Sequence, residues 1–598
     1  VRLFGPDTEY KFNTMKTIKY IVPALMLGLA MTACHDDDNY GVLDGVDMIN
    51  RSQSIAEGAT VRPSSTVALT LSYNNLVAIA DRSITVNGQA VTASVNPDNG
   101  MELVIPLTLT AYTEYTVEVP EGAVCIKDNP EVFAPAKTVK FNTNVGLDRS
   151  QVAASLINPN ATAEAKKLYT YLVENYGKTQ LSGAMGEVAW GTRFSDFIAQ
   201  QAGKYPAVVG FDYIHLANSP SDWIDYGDIT PVQQVWDAGS IPAFTWHWNT
   251  PVSFGTPIDE TVSTAETVML PDWSASLQLT DETSMAVLSK VSAGSVITVT
   301  VKDVAEGAQG SFKDSGWSGL VAADGTDYDY FVINGDFSIT LDAVTADKVK
   351  EGGLIIGGHD YTLVSVKVYS DGAPSDELDA KGDFNAANAL VAGTPENKVL
   401  DADIDKVAGY LKLLQDAGIP VIWRPFHEAA GDYTWGAWFW WGMSGVDTTK
   451  QLWDYLYDKL TNEYGINNLI WVWTVQTTDE GKLASIDKLQ AAYPGNDKVD
   501  IVCADLYIDD AMTDQTDTFD LINILVDKKK VIALGEVGNM VDPVSAYNNG
   551  ALWSWFMQWY EMGDNADTPQ FDRWNNAEIW REMVNSPYVV SRGDFSLK

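Results

Sequence analysis

The chain has 598 residues, and its 39 lysine and arginine residues stand against 80 aspartate and glutamate residues, which gives a formal charge of −41 at pH 7. That acidity argues against an extended nucleic-acid partner, since a phosphate backbone selects for stripes of basic residues, and against attachment to anionic lipid by charge. Apolar residues at 46% and charged residues at 20% exclude wholesale disorder, and the 20 tryptophans and 26 tyrosines suit an uncharged polymeric ligand.

The N-terminal region is predicted to be an export signal. Residues 1–14 form an upstream segment of no clear pattern, and Met15 is predicted to be the true start. Residues 15–34 combine a basic start, an apolar run too short for a membrane span and small residues at the end, which is typical of a secretory signal. The ending Met31-Thr-Ala-Cys34 resembles a bacterial lipobox, which implies that Cys34 is lipidated and becomes the mature N-terminus.

A short acidic tether is predicted to follow the signal. It covers residues 35–41, and its run Asp36-Asp-Asp38 resembles the surface-export signal of Bacteroidetes lipoproteins. The alternative interpretation is a merely solvated tether. No later stretch is long and apolar enough to span a bilayer. The predicted location is therefore the cell surface, on the outer membrane and held there by the lipid.

Residues 42–145 are predicted to be a β-sandwich of the immunoglobulin type. The segment alternates apolar and polar residues, as in Tyr115-Thr-Val-Glu-Val119, and turn signals such as Asn87-Gly88 separate the runs. A length of about 100 residues suits such a sandwich. The segment carries no evident chemistry, so we expect it to be a stalk.

From residue 150 the pattern changes to buried strands that alternate with amphipathic helices. A parallel α/β sheet follows from that alternation, and eight strands predict a closed (β/α)8 barrel, or TIM barrel, made from residues 150–255 and 380–598. The predicted strands are Thr179–Met185, Ala207–Tyr213, Pro242–Trp248, Pro420–Glu428, Leu469–Val475, Asp500–Tyr507, Val531–Val537 and Ala551–Tyr560.

The third and fourth strands are separated by far more residues than a loop needs. Residues 260–373 alternate again, so we predict a second β-sandwich inserted after barrel strand three, near the catalytic face. Its Gly352-Gly-Leu-Ile-Ile-Gly-Gly358 resembles jelly-roll carbohydrate-binding modules. Trp273, Trp317 and Tyr328 could stack on sugar rings, but packing in the core is an equally good interpretation of each.

Metals and cofactors are not expected. Three cysteines cannot build a disulfide framework or a metal cluster, and Cys125 and Cys503 are predicted to be buried thiols. His35, His215 and His359 form no ligand set with the other histidines. No glycine-rich phosphate loop follows a strand, which argues against a nucleotide.

Two glutamates stand at predicted strand ends, where barrel enzymes carry their chemistry. Glu428 ends strand four and Glu536 lies at the end of strand seven. Glycoside hydrolysis requires such a pair, because one acid protonates the leaving oxygen while the other attacks the anomeric carbon or activates water. Arg424 and His427 could keep one of them ionised, and a tryptophan-rich wall could keep the other protonated.

The motifs around these glutamates resemble glycoside hydrolase family 26. Trp423-Arg-Pro-Phe-His-Glu428 and the aromatic loop Tyr433-Thr-Trp-Gly-Ala-Trp-Phe-Trp-Trp-Gly442 carry the likeness, with Gly535-Glu-Val-Gly538 after strand seven. The family is retaining and consists chiefly of endo-β-1,4-mannanases. The resemblance implies that Glu428 is the acid/base and Glu536 the nucleophile.

The resemblance also implies substrate-binding residues. His427 matches a histidine that hydrogen-bonds near the nucleophile, Tyr507 a tyrosine that orients it, and His247 a histidine that contacts the sugar at the cleavage subsite. Aromatic rings pack well on the C–H face of a sugar. The tryptophans predicted to supply such platforms are Trp438, Trp441, Trp473 and Trp555.

The predicted function is therefore a retaining endo-β-1,4-mannanase, a mannan endo-1,4-β-mannosidase, acting on mannan, galactomannan or glucomannan without a cofactor. A β-1,3-1,4-glucanase or β-1,3-xylanase of the same family is an alternative, because the catalytic pair is shared and the subsite loops decide. An alternative of another class is a non-catalytic, glycan-binding surface lipoprotein. The sequence does not indicate an oligomeric state.

Overall fold

A computed structural model describes residues 47–63, 66–263, 268–382, 384–429, 438–476, 483–563 and 568–598. The predicted upstream segment, signal, lipidated Cys34 and tether lie outside the described residues. Within the described part of the chain, no helix combines the length and the apolar character that crossing a membrane requires. Cys125 and Cys503 are both buried free thiols, as predicted.

The N-terminal segment is built from three antiparallel sheets around its own apolar core. The sheets have the strand orders β1-β2-β7-β6, β10-β9-β3 and β11-β8-β4-β5. Alternate residues of the central strands, such as Leu69 and Leu71, are fully buried in this core. The strands are β1 Asn50–Gln53, β2 Ala68–Tyr73, β3 Val77–Ile79, β4 Ile84–Val86, β5 Gln89–Val91, β6 Ser94–Val95, β7 Glu102–Pro106, β8 Glu114–Val119, β9 Val124–Ile126, β10 Asn129–Phe133 and β11 Lys137–Asn142.

The first part of the barrel alternates strands with helices. Thr162 caps the first helix, since its hydroxyl accepts from the amide of Ala165, and Gly203 ends the second helix in the left-handed conformation. The elements are α1 Ala163–Asn175, β12 Gln180–Leu181, β13 Gly183–Met185, α2 Arg193–Ala202, β14 Val208–Asp212, α3 Thr230–Asp237 and β15 Ile241–Thr245.

A β-rich insertion leaves the barrel after β15. It begins and ends through a short antiparallel ribbon, since β16 pairs with β26. Inside it, β17, β18, β20, β23 and β25 form one antiparallel sheet and β19-β24-β21-β22 another, and the two share an apolar core. The elements are β16 Thr250–Pro251, β17 Ile258–Ser263, β18 Val268–Leu270, β19 Ser276–Leu279, α4 Glu282–Leu288, β20 Val296–Lys302, β21 Gln309–Lys313, β22 Phe331–Val332, β23 Phe337–Thr340, α5 Ala343–Gly352, β24 Leu354–His359, β25 Tyr361–Ser370 and β26 Leu378–Asp379.

The second part of the barrel contributes four more strands of the parallel sheet. Thr394 caps its longest helix, and Asp458–Glu463 extends another helix as a π-helical turn. The elements are α6 Ala386–Ala389, α7 Pro395–Asp416, β27 Val421–Arg424, α8 Trp440–Met443, α9 Val446–Tyr457, β28 Leu469–Gln476, α10 Ile486–Ala492, β29 Ile501–Leu506, α11 Thr516–Leu525, β30 Val531–Val537, α12 Pro543–Asn548, α13 Ala577–Asn585 and β31 Val589–Val590.

The parallel sheet closes on itself. Its seven strands run in the order β13-β14-β15-β27-β28-β29-β30. Residues 554–559 fill the gap, because the amide of Phe556 donates to the carbonyl of Leu181 at 3.1 Å and the amide of Ser554 to that of Ile532 at 2.9 Å. The predicted eighth strand therefore occupies its place as a hydrogen-bonded segment, and the sheet is a closed barrel.

The strand that carries the family-like motif is shorter than predicted. The prediction ran to Glu428, whereas β27 ends at Arg424. Pro425 has no N–H to donate to the parallel ladder, which explains the early end. Glu428 follows in a turn with a φ of 56°, a left-handed backbone that costs a non-glycine residue about 1–2 kcal/mol. Likewise β15 ends at Thr245, so His247 lies just beyond its strand.

Candidate active site

Two glutamates meet at the carboxyl ends of the barrel strands. Glu428 follows β27 and Glu536 is the penultimate residue of β30, and both are buried. One carboxylate oxygen from each of Glu428, Asp505 and Glu536 lies within 4.8 Å of the other two. In retaining glycosidases the two carboxyl groups are roughly 5–5.5 Å apart, while inverting enzymes leave room for a water between them. The spacing observed here fits the retaining arrangement.

Glu428 is held in an environment that favours its protonated form. Burial and the charge of nearby Glu536 raise the pKa of Glu428 to about 7. Trp438 acts in the opposite sense, because its indole Nε1–H donates to Glu428 Oε2 at 2.7 Å and favours the carboxylate. The balance leaves a carboxylic acid that can donate a proton near neutral pH.

Glu536 lies beside a buried cation. The buried guanidinium of Arg424 contacts Glu536 Oε1 at 3.3 Å and both carboxylate oxygens of Asp505 at 2.7 and 2.8 Å. Burial alone would lower the pKa of Arg424, but the charges of Asp505 and Glu536 raise it above its usual range, so the cation is secure. Thr245 accepts from Nη1 of Arg424 at 3.0 Å, and Thr474 accepts from Nε at 3.3 Å. Arg424 therefore supplies the positive charge that an ionised Glu536 needs.

Tyr507 fixes the second oxygen of Glu536. It lies one residue beyond β29 and its hydroxyl donates to Glu536 Oε2 at 2.9 Å. With Arg424 on one oxygen and Tyr507 on the other, the carboxylate plane is set by two hydrogen bonds. This placement is the one that the orienting role predicted for Tyr507 requires.

Replacing Tyr507 by phenylalanine tests that role. A hydrogen bond to a charged group contributes about 1.5–3 kcal/mol, so we expect kcat/KM to fall roughly 10- to 100-fold. The fold should persist, since the ring still packs on Trp574 at a centroid distance of 5.4 Å. Steady-state kinetics beside a thermal melt would measure both quantities. Unchanged kcat/KM would show that Arg424 orients Glu536 alone.

The two predicted histidines contact each other. His247 Nε2 lies 3.2 Å from His427 Nε2, and His247 Nδ1 lies 2.6 Å from Asp212 Oδ2. Burial alone would lower the pKa of His247, but the charges of Asp212, Glu536 and Glu428 raise it. Burial, His247 and Arg424 lower the pKa of His427 well below the usual value. A neutral His427 thus lies beside a His247 that Asp212 orients.

A cation could in principle use the three acidic residues of this site. Carboxylate oxygens suit Mg²⁺ or Ca²⁺, and those of Glu428, Asp505 and Glu536 are close enough to share an ion. Arg424, however, already places a guanidinium between Asp505 and Glu536. These carboxylates therefore already have the guanidinium of Arg424 as their cation. The expectation that the protein uses no catalytic metal stays a prediction.

The sequence matches a family model at both halves of the barrel. The model is described as glycosyl hydrolase family 26, and it matches residues 157–309 and 381–594, more than half of the chain. This chain belongs to glycosyl hydrolase family 26. The prediction of this family, of an enzyme and of its (β/α)8 barrel is confirmed.

Curated relatives carry a common name. The mannan endo-1,4-beta-mannosidase of Thermothelomyces thermophilus is 30% identical over 495 residues, which cover 79% of this chain and 72% of that protein. Mannan endo-1,4-beta-mannosidase A of Piromyces sp. is 25% identical over 449 residues, or 74% of this chain. The chain spans 50% of the Piromyces protein's length.

A solved structure has the same fold. The crystal structure of a ruminal GH26 endo-beta-1,4-mannanase superposes with a TM-score of 0.50 and 21% identity, and the match covers 93% of each chain. At that identity the likeness shows the architecture alone.

Three of the four tryptophans predicted as sugar platforms are not at the cleft of this family 26 protein. Trp441, Trp473 and Trp555 are at most 1% exposed, so their rings present no face to a ligand. Trp441 stacks on Phe439 and donates to the carbonyl of His427, and Trp473 lies within a strand that is buried on both faces. This corrects the prediction. Trp438, 36% exposed and bonded to Glu428, remains at the site.

Two tryptophans that the sequence analysis did not select lie beside the predicted site residues His247 and Tyr507. Trp559 is half-buried, with its ring centroid 5.5 Å from that of His247, and Trp574 is half-buried beside Tyr507. Trp559 is the residue at which the closing segment ends, and strand ends are where barrel function lies. That signal could have favoured Trp559 over Trp555.

Two supporting acids were also missed. Asp212 is the last residue of β14 and Asp505 the penultimate residue of β29. Both are fully buried, and each pairs with a functional side chain, His247 and Arg424 respectively. A charged residue at the end of a buried apolar strand was the available signal.

Proposed function

We propose that this family 26 protein is a retaining endo-β-1,4-mannanase. The observation that carries the proposal is the facing pair Glu428 and Glu536, the first in an environment that favours its protonated form and the second in contact with the guanidinium of Arg424. The names of the relatives from Thermothelomyces thermophilus and Piromyces sp. support mannan as the polymer. The oxygen spacing supports double displacement over inversion.

The first chemical step forms a glycosyl-enzyme. A carboxylate oxygen of Glu536 attacks the anomeric carbon while the C–O bond to the leaving sugar breaks. Glu428 gives its proton to the departing oxygen, so the leaving chain departs as a neutral alcohol. Arg424 and Tyr507 hold Glu536 in place without themselves exchanging a proton.

The second step reverses the roles. Once Glu536 is esterified its negative charge is gone, and with it one of the two causes that raise the pKa of Glu428. Glu428, now ionised, accepts a proton from a water molecule whose oxygen attacks the anomeric carbon. The ester bond to Glu536 breaks, and both acids return to their starting states with the anomeric configuration retained.

The pH dependence follows from the same environment. Because Glu428 must be protonated to act, kcat/KM should fall as pH rises through about 7. Replacing Trp438 by phenylalanine removes the hydrogen bond that lowers this pKa, so the alkaline limb should move to higher pH. Trp317, which is exposed and belongs to the insertion, gives the matched control W317F with an unshifted limb. A shift of W438F to lower pH would contradict the assigned proton donor.

Reducing-sugar release from a panel of polymers tests the substrate. The panel contains linear mannan, galactomannan, glucomannan, lichenan and xylans, with product sizes measured by chromatography. Mannan-selective release of mixed oligosaccharides is the expected result. Release from lichenan or β-1,3-xylan alone would keep the mechanism and overturn the substrate. No release from any polymer, with retention on a native affinity gel, would instead support a glycan-binding protein.

We further propose that the protein is a cell-surface lipoprotein anchored at Cys34, with the N-terminal β-rich segment as an immunoglobulin-like stalk. The lipobox-like sequence ending at Cys34 and the acidic run after it support the anchor. Metabolic labelling with a radioactive fatty acid should mark the wild type and not C34A. Protease treatment of intact cells should remove the protein, and protection of the lipidated form would overturn the surface location.

A further inference from the structure

The outer face of one sheet in the insertion carries a row of polar side chains that are partly or fully buried. In the sheet β19-β24-β21-β22, Gln309 pairs with His359, Ser311 with Gly357 and Lys313 with Ile355. Directly opposite residues share a face, and alternate residues along a strand do so too. The intervening Phe312 is buried in the core on the other side. Gln309, Ser311, Lys313 and His359 therefore lie together on the outer face.

Two exposed aromatic rings lie beside this outer face. Trp273 is 42% and Tyr330 61% exposed, and their centroids are 5.2 Å apart at an interplanar angle of 78°. Trp273 also meets His359 edge-on at 5.4 Å. Tyr328, by contrast, is only half-exposed and packs on Phe312 at 5.7 Å, so it belongs with the core. The two exposed rings form an apolar corner at the surface.

Polar groups frame this corner, and each has a carboxylate partner. Lys313 Nζ lies 2.5 Å from Asp329 and 4.7 Å from the centroid of Tyr330, and His359 Nδ1 lies 2.7 Å from Asp360. Within the described residues, the buried hydroxyl of Ser311 has no hydrogen-bond partner. Ser311 is fully buried, so a ligand at the corner does not reach its hydroxyl.

We propose that the corner of Trp273, Tyr330, His359 and Lys313 is a second binding site, for an uncharged saccharide chain. A pyranose ring offers an apolar C–H face and a rim of hydroxyls, which match the open aromatic faces and the donors around them. The charge of Lys313 is paired with that of Asp329, and the chain's net charge of −41 repels anions. The inference rests on the proposed polysaccharide substrate, and it gives the insertion the task of holding polymer beside the barrel.

Adsorption to an insoluble polymer tests the site. Full-length wild type, W273A and Y330A are incubated with insoluble linear mannan in the cold, and the protein left in solution is measured. Each substitution should weaken adsorption at least fivefold and lower the rate on the insoluble polymer. The rate on soluble mannohexaose should change less than twofold, because the small substrate needs only the cleft.

Trp317 gives the matched control for this experiment. It is 52% exposed in the same insertion and contributes no ring contact to the corner. W317A should adsorb as the wild type does, and circular dichroism should show all three variants folded. Wild-type adsorption by W273A and Y330A, or equal loss by W317A, would overturn the site. A different result would show that the proposed function is wrong: the wild type would then release no sugar from any β-mannan.

Discussion

Replacement of Glu536 by glutamine is expected to remove nearly all turnover, with kcat reduced roughly 10⁴- to 10⁶-fold, because the bond to the anomeric carbon can no longer form. The fold should remain, since Asp505 still pairs with Arg424 and the amide oxygen still accepts from Tyr507. Steady-state rates on a soluble mannan and a thermal melt measure the two effects. Glu396, another buried glutamate but on α7, gives the control E396Q, which should stay active.

A chemical rescue makes the assignment of Glu536 sharper. In E536A, azide can occupy the vacated space and attack the anomeric carbon directly from that side. A β-mannoside with a dinitrophenyl leaving group should then yield the α-glycosyl azide. A β-glycosyl azide from this variant, or full activity without azide, would contradict Glu536 as the nucleophile.

Replacement of Glu428 by alanine is expected to slow the cleavage of substrates with a poor leaving group far more than that of substrates with a good one. Polymer hydrolysis should fall about 10²- to 10⁴-fold, the usual contribution of a positioned acid or base. A dinitrophenyl mannoside needs no proton on its leaving group, so its first step should be nearly unaffected. Hydrolysis of the glycosyl-enzyme would lack its base, so rapid-mixing experiments should show a burst of dinitrophenol followed by a slow steady state.

The azide product again separates the roles. In E428A the glycosyl-enzyme on Glu536 forms first, and azide then attacks from the opposite side, so the β-glycosyl azide is expected. An equal loss on polymer and dinitrophenyl substrate, with no burst, would show that Glu428 does not act as the proton donor. The two variants thus yield opposite anomers from one substrate, which no general loss of stability can imitate.

Much of the barrel could be read from local patterns. Strands β14, β28, β29 and β30 were each predicted to within two residues, because apolar runs bounded by turn signals mark strands that are buried on both faces. The last strand was placed correctly although it makes only isolated bridges. The error at β27 came from counting Pro425 as strand, although proline removes a donor from the ladder.

The tryptophan predictions failed for a different reason. Trp555 and Trp559 lie four residues apart in the same closing segment, yet one is 1% exposed and the other borders the cleft. Composition marks both as candidates for sugar stacking. Which ring is open depends on where the chain leaves the barrel and on what packs over it, which is a property of several segments at once.

The sequence by itself identified Glu428 and Glu536 as the candidate catalytic pair, because each stands at or just beyond the end of an apolar strand within a short motif, and both features are local. Only the tertiary structure decided how the two glutamates differ. Arg424 and Tyr507 reach Glu536 from other strands, while burial, Glu536 and Trp438 set the pKa of Glu428 at about 7. Charge interactions and desolvation act through space, so they depend on neighbours from other parts of the chain, such as Arg424, which lies 112 residues before Glu536.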